Sequence, residues 1–187
     1  MAQAPRARNL HPGGWAVESH RSIATLLGSC VAVCLYDAHA QLAGMNHFLL
    51  PKMSKRAHAS HDVVLSGDYA MEVLLNAMLQ HGAKHARIKA KAFGGGSINA
   101  SPQLDVGKRN AEFAVQWLLE EKIPLVASDF GGSYSRKLIL HPHTGDAFCR
   151  RMEIKPLLAQ TLARRERDYE QSLHQARTAA DKKIELF

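Results

Sequence analysis

Residues 25–51 constrain this chain more than any other stretch. Residues 25–37 read Thr-Leu-Leu-Gly-Ser-Cys-Val-Ala-Val-Cys-Leu-Tyr-Asp, and residues 44–51 read Gly-Met-Asn-His-Phe-Leu-Leu-Pro. Both runs read as strands, and residues 37–41 between them are polar or small enough to turn. A four-residue loop over residues 37–40 pairs Tyr36 with Gln41. The same antiparallel register sets Cys30 opposite His47. Opposed positions hold their Cβ atoms roughly 4.5–5.5 Å apart on one face, which brings a thiol within proton-transfer reach of an imidazole. A slip of one residue would send the two to opposite faces.

Such a pair supports nucleophilic acyl transfer. A free thiol with a pKa of about 8.5 is mostly protonated at neutral pH, and a neighbouring imidazole can take the proton and stand beside the thiolate. Gly28 and Ser29 precede Cys30. The glycine permits a tight turn that could aim backbone N–H groups at a developing oxyanion. The same residues also read as ordinary packing, with Cys30 a small buried hydrophobe and His47 a half-buried strand histidine.

The 187 residues suit one domain with an appendage. At 46% hydrophobic and 22% charged residues, the composition is that of a globular protein. No apolar run approaches the roughly 18–20 residues of a membrane span, and the first eight residues lack the apolar core of a secretory signal. This predicts a cytoplasmic protein without membrane insertion. Cys30, Cys34 and Cys149 make an odd set without framework spacing, which predicts reduced thiols. The net charge of +7 is not gathered into a basic and aromatic stripe, so nucleic acid is not an expected partner.

Residues 1–20 read as an irregular arm. Strands are predicted near 29–36 and 42–50, then a polar loop over 52–66. A helix from Ser66-Gly67-Asp68 carries Tyr69, Met71, Val73, Leu74, Leu75 and Met78 and ends at Gly82. Residues 86–93 alternate as a half-buried strand, broken by Gly94-Gly95-Gly96. Asn110 caps a second helix through Glu121, with Phe113, Ala114, Trp117 and Leu118 inward. A strand begins at 123–127, Gly131-Gly132 turns the chain, and 136–140 with 146–150 signal a hairpin. From Lys155 the composition shifts to mixed charge, read as an exposed helical tail. The order predicts an α+β layered fold, mostly antiparallel, with two packed helices.

Several blocks occur in a telling order: residues 27–37, Asn46-His47-Phe48-Leu49-Leu50-Pro51, Gly67-Asp68-Tyr69-Ala70-Met71, Phe93-Gly94-Gly95-Gly96, Gly107-Lys108-Arg109-Asn110, and Asp129-Phe130-Gly131-Gly132 with Arg136-Lys137. Over roughly residues 22–152 the chain resembles the chemoreceptor glutamine deamidase family, CheD. The resemblance implies a core similar to the catalytic domain of deamidating bacterial toxins, spanning 21–154 between the arm (1–20) and the tail (155–187). It implies a cysteine–histidine hydrolase that converts glutamine side chains of methyl-accepting chemotaxis proteins to glutamate. Cys30 matches the family nucleophile and His47 its histidine; no metal or organic cofactor is implied. The family's threonine falls at Ala24, with Thr25 one residue later, so Thr25 serves as third member only if the backbone bulges or turns locally. A chemotaxis phosphatase is implied as a second binding partner.

Other readings compete. A binding module of the chemotaxis apparatus would keep the fold without the catalysis, and a cysteine transamidase would need an amine acceptor site. His58 and His61 tempt as metal ligands but lack zinc spacing, and Cys34 reads as core. Gly94–Gly96 lacks the rest of a phosphate loop and reads as a turn or a close backbone contact. The basic loop near Lys52–Arg56 reads as solvated surface or as a hold on acidic receptor helices, and Asp129 as a strand-end cap or a site residue.

Overall fold

Strand alternation in this chain builds two sheets that share one apolar seam. The computed structural model describes residues 6–50, 60–97 and 106–181. The strands are β1 (Arg8–Leu10), β2 (Trp15–Glu18), β3 (Ile23–Leu27), β4 (Val31–Asp37), β5 (Leu42–Asn46), β6 (Lys89–Gly94), β7 (Leu125–Phe130), β8 (Tyr134–Leu140) and β9 (Ala147–Glu153). The helices are α1 (Ser60–Gln80), α2 (Val106–Glu120) and α3 (Pro156–Asp181). One sheet has the order β1-β3-β8-β9 and the other β2-β5-β4-β6-β7. Pairing is antiparallel except for β1 with β3 and β6 with β7, so both sheets are mixed.

Three layers result. Ile23, Leu27, Leu138 and Leu140 from the first sheet meet Cys30, Ala32, Cys34, Ala43, Met45 and Phe93 from the second. On the second sheet's other face, Val31, Val33, Leu35, Ala90 and Ala92 meet Met71, Leu74 and Met78 of α1 and Ala114, Trp117 and Leu118 of α2. The near-continuous apolar run of β4 is thus that of a strand covered on both sides. The α+β layering is as the element order predicts.

Several local expectations change. The arm is not irregular over its described part: β1 pairs with β3 and β2 with β5. Strands of three and four residues are too short for periodicity to reveal; their partners define them. Helix α1 begins at Ser60 rather than at Ser66; its first residues, Ser60-His61-Asp62, look like a loop in composition, and Val63, Val64 and Leu65 then continue the helix. Helix α2 begins at Val106, so Asn110 is not its cap but a buried residue of its inner face, with Gly107, Ala111, Ala114, Trp117 and Leu118. Lys52, Lys55, Arg56 and His58 lie outside the described residues, as does the side chain of His61.

The central hairpin is shifted. Asp37 pairs with Leu42 and Cys34 with Met45, so the turn is residues 38–41, with Gln41 at a φ of 50°. Cys30 therefore does not lie directly opposite His47. Asp37 stays in the strand because its buried carboxylate is an anchor rather than a turn residue. It accepts the N–H groups of His39 and Ala40 at 3.1 Å each, Lys84 N–H at 3.0 Å, and Arg87 through Nε and Nη2, the latter at 2.7 Å. Arg87, followed by the Lys84 and Ala40 amides, holds this carboxyl well below the usual carboxylate range.

Removing one member of a buried pair strands the groups left behind, typically at about 3 kcal/mol or more. Asp37→Ala should lower the unfolding free energy by about 3 kcal/mol, read from the denaturant midpoint. The depressed carboxyl contributes stability that is full above its unfolded pKa. That contribution should fade as pH falls below about 4, and the variant should lack this part of the acid slope.

Candidate active site

The chain crosses from the first sheet to the second through Gly28, Ser29 and Cys30, between β3 and β4. All three carbonyls of this crossing are held. Gly96 N–H donates to Gly28 O at 2.8 Å, Asn110 Nδ2 to Ser29 O at 2.9 Å, and Gly95 N–H to Cys30 O at 2.8 Å. Gly94 has a φ of 121°, and a Cβ there would strike Cys30 O. A Cβ on Gly107 would strike Gly95 O. The glycine run is therefore the close backbone contact that its sequence allowed. Asn110 also accepts Leu50 N–H through Oδ1 at 3.0 Å, tying the crossing to the end of the hairpin.

His47 lies where the hairpin loosens. Asn46 Oδ1 accepts Val33 N–H at 2.9 Å, in place of a main-chain partner. The backbone of His47 turns to the arm: its N–H donates to Gly14 O at 2.9 Å and its carbonyl accepts Gly13 N–H at 2.7 Å. Phe48 then returns to pair with Val31. With Val31 opposite Phe48, alternation places Cys30 and His47 together on the other face, as diagonal neighbours. Such neighbours are ~7–8 Å apart at the backbone and within reach of long side chains. The actual register differs from the expected one by two residues, and a shift of two preserves the face.

Thr25 meets His47 from the opposite sheet. Its hydroxyl lies 2.7 Å from His47 Nδ1 and donates to Leu10 O at 3.0 Å. With its proton committed to Leu10, the hydroxyl oxygen accepts Nδ1–H, which assigns the tautomer and leaves Nε2 the lone pair. No bulge is needed, because the β3 register runs unbroken from Ile23 opposite Leu140 to Leu27 opposite Arg136. Ile23, Thr25 and Leu27 share the face toward the seam, so Ala24 points the other way.

The site is dry. Cys30 and His47 are 1% and 2% exposed, and His47 Nε2 has no hydrogen-bond partner. Burial, followed by the charges of His11 and Arg165, lowers the His47 pKa to about 3. Burial, followed by the charge of Glu166, pushes the Cys30 thiol well up. In this arrangement both groups are neutral at pH 7.

Glu166 belongs to α3, whose residues were expected to be an exposed tail. Instead Leu162 is 3% exposed, and Glu166, Tyr169 and Glu170 are half-buried. These residues share one helical face, a narrow stripe that the charged composition conceals. Glu166 accepts Ser29 N–H at 3.0 Å and the Ser29 hydroxyl at 2.7 Å, and Cys30 Sγ lies 3.6 Å from Oε1.

Cys34 is packed in the seam between the sheets, with its thiol pushed up by burial. Asp129 takes Arg151 and the fully buried Arg136 at 2.9 and 3.0 Å, and is lowered to about 2 chiefly by Arg151, so it joins β7 to β8 and β9. Among the described residues, no group of three His, Cys, Asp or Glu is placed to hold a metal ion.

The family model described as "CheD chemotactic sensory transduction" matches residues 49–151. A protein named "Probable chemoreceptor glutamine deamidase CheD 2", from Dechloromonas aromatica (strain RCB), is 55% identical over 97% of this chain and 93% of its own. The chain belongs to the CheD family. A CheD 1 of the same organism is 42% identical over 97% of this chain and 89% of its own. A CheD of Paraburkholderia xenovorans (strain LB400) is 37% identical over 99% and 76%. The family model begins after His47, so Cys30, His47 and Thr25 fall in the part covered by these CheD relatives alone. The Bacillus licheniformis hypothetical protein YfiH overlaps 60% of this chain at 19% identity, with a TM-score of 0.37, too low to argue from.

Removing the Thr25 hydroxyl takes away the partner of His47 Nδ1 and one donor to Leu10 O, both in the dry seam. A buried group left unpaired costs about 1–3 kcal/mol. Thr25→Val should destabilise by about 2 kcal/mol in denaturant titration, Thr25→Ser should recover most of it, and Ala24→Thr should not compensate for Thr25→Val.

Proposed function

We propose that this protein is a chemoreceptor glutamine deamidase, hydrolysing glutamine side chains of methyl-accepting chemotaxis proteins to glutamate and ammonia. The observation that carries this reading is the His47 ring. Thr25 holds its Nδ1, and its lone-pair nitrogen is unpartnered on the face that bears Cys30. The names of the CheD relatives supply the substrate class.

The chemistry follows from these groups and water. His47 Nε2 takes the Cys30 proton, and the thiolate attacks the carboxamide carbon. Ser29 N–H, now bonded to Glu166, donates to the oxyanion once that carboxylate has left. The tetrahedral intermediate collapses by breaking its C–N bond, and imidazolium returns the proton to the departing ammonia. Water, deprotonated by His47, hydrolyses the γ-glutamyl thioester and restores the thiol. Thr25 acts as a positioning residue that fixes tautomer and ring. Every bond change is met by protein and water.

Two further parts belong to the same reading: a deamidase core similar to that of deamidating toxins, with β1 and β2 of the arm built into it, and a chemotaxis phosphatase as a second partner. Among the described residues, no helix is long and apolar enough to cross a membrane.

Intact mass of a receptor fragment after incubation with this protein is the direct test. The parent should add the mass of glutamine deamidation, and Cys30→Ala should add none. His47→Ala should slow conversion on the order of 10²–10⁴-fold, and Cys34→Ala should keep most of the activity. Equal conversion by Cys30→Ala and the parent would sink the mechanism. A fragment that is bound but never converted would favour the binding-module reading.

A further inference from the structure

Helix α3 brings a carboxylate to the place where the reaction's product carboxylate would lie. After deamidation, the new glutamate has one oxygen at the donor that held the oxyanion and its carbon beside the sulfur. Glu166 holds a carboxylate against the same donor and the same sulfur. Its Oε1 is 3.0 Å from Ser29 N and 3.6 Å from Cys30 Sγ, and its Oε2 accepts the Ser29 hydroxyl at 2.7 Å. The neighbouring turns of the same face also dock. Leu162, four residues before, is buried. The Tyr169 ring, three residues after, lies against Gly13, whose N–H holds the His47 carbonyl.

We infer that α3 is an internal occupant of the substrate groove, with Glu166 standing in for the product glutamate, so that a receptor helix must displace it. The inference rests on the deamidase reading and adds to it the shape of the ligand. The groove takes a helix that presents a glutamine or glutamate, with an apolar side chain four residues before it on the same face.

Two further observations agree. The docked helix opposes the ionised pair: the charges of Glu166 and Glu170 disfavour the Cys30 thiolate, and that of Arg165 disfavours the His47 imidazolium. The docked face is also narrow. Arg164, Arg165, Arg167 and Asp168 are exposed, and only Ile154 and Lys155 separate α3 from β9. The helix leaves by a change at that joint, giving up the burial of Leu162 and the packing of Tyr169 against the seam while both sheets stay paired.

Full-length variants test this with two readouts, alkylation of Cys30 by iodoacetamide and ammonia release from a receptor fragment. Glu166→Ala and Tyr169→Ala should each raise both rates severalfold over the parent. Full-length Glu166→Gln should convert itself, gaining the mass of one deamidation over time, and Cys30→Ala in the same chain should stop that gain. Unchanged alkylation in both alanine variants, with Cys30-dependent ammonia release in the parent, would overturn the inference and leave the deamidase reading standing. A Glu166→Gln chain that never gains mass while it processes the receptor fragment would also overturn it. Faster alkylation with no ammonia release from any variant would overturn the deamidase reading, and with it the product analogy.

Discussion

The crossing between the two sheets is the constraint on which the rest depends. Gly28, Ser29 and Cys30 carry the chain from β3 to β4, and their three carbonyls are drawn to one side by Gly96, Asn110 and Gly95. With the carbonyls committed there, Ser29 N–H is left to face an anion, which in this structure is Glu166. The Gly94 and Gly107 positions admit no side chain because backbone from the crossing and from the glycine run fills that space. Two regions distant in sequence thus meet through main-chain atoms, where glycine lets the backbones approach.

The second half of the site is a chain of buried hydrogen bonds across the sandwich. It runs from Leu10 O through the Thr25 hydroxyl to His47 Nδ1, while Gly13 and Gly14 hold the same histidine by its backbone. Because this chain lies in the dry seam between the sheets, the imidazole stays neutral and keeps a lone pair at Nε2. In the proposed reaction a buried base of this kind becomes charged only where the thiolate forms beside it, which links proton transfer to nucleophilic attack. The docked α3 adds negative charge near the thiol and positive charge near the imidazole, which holds the site in its neutral state.

Much of this was legible in the residues. The covered strand after Cys30, the hairpin that brings Cys30 and His47 to one face, the amphipathic α2 and the turn at Gly131-Gly132 follow from periodicity and turn chemistry. The hairpin register was not, because Asp37 looked like a turn residue while its carboxylate is bound from a distant segment by Lys84 and Arg87. Thr25 looked displaced by one residue because its site partner sits on the opposite sheet. Alternation says which residues share a face but not which face looks inward. Asn110 looked like a helix cap because asparagine often is one, and its two bonds to the Ser29 and Leu50 backbone are long-range.

The sequence by itself determined the alternation, the glycine positions and the placing of Cys30 and His47 on one face, since each depends on neighbours along the chain. Only the tertiary structure decided the role of the arm, the facing of Thr25 and the docking of α3. Strands as short as β1 and β2 have no pattern of their own and exist through their partners. In the same way, a helix rich in charge carries its docking face of Leu162, Glu166, Tyr169 and Glu170 unnoticed until another surface meets it. These are contacts between segments far apart in sequence, and local propensity cannot encode them because their energy comes from the partner.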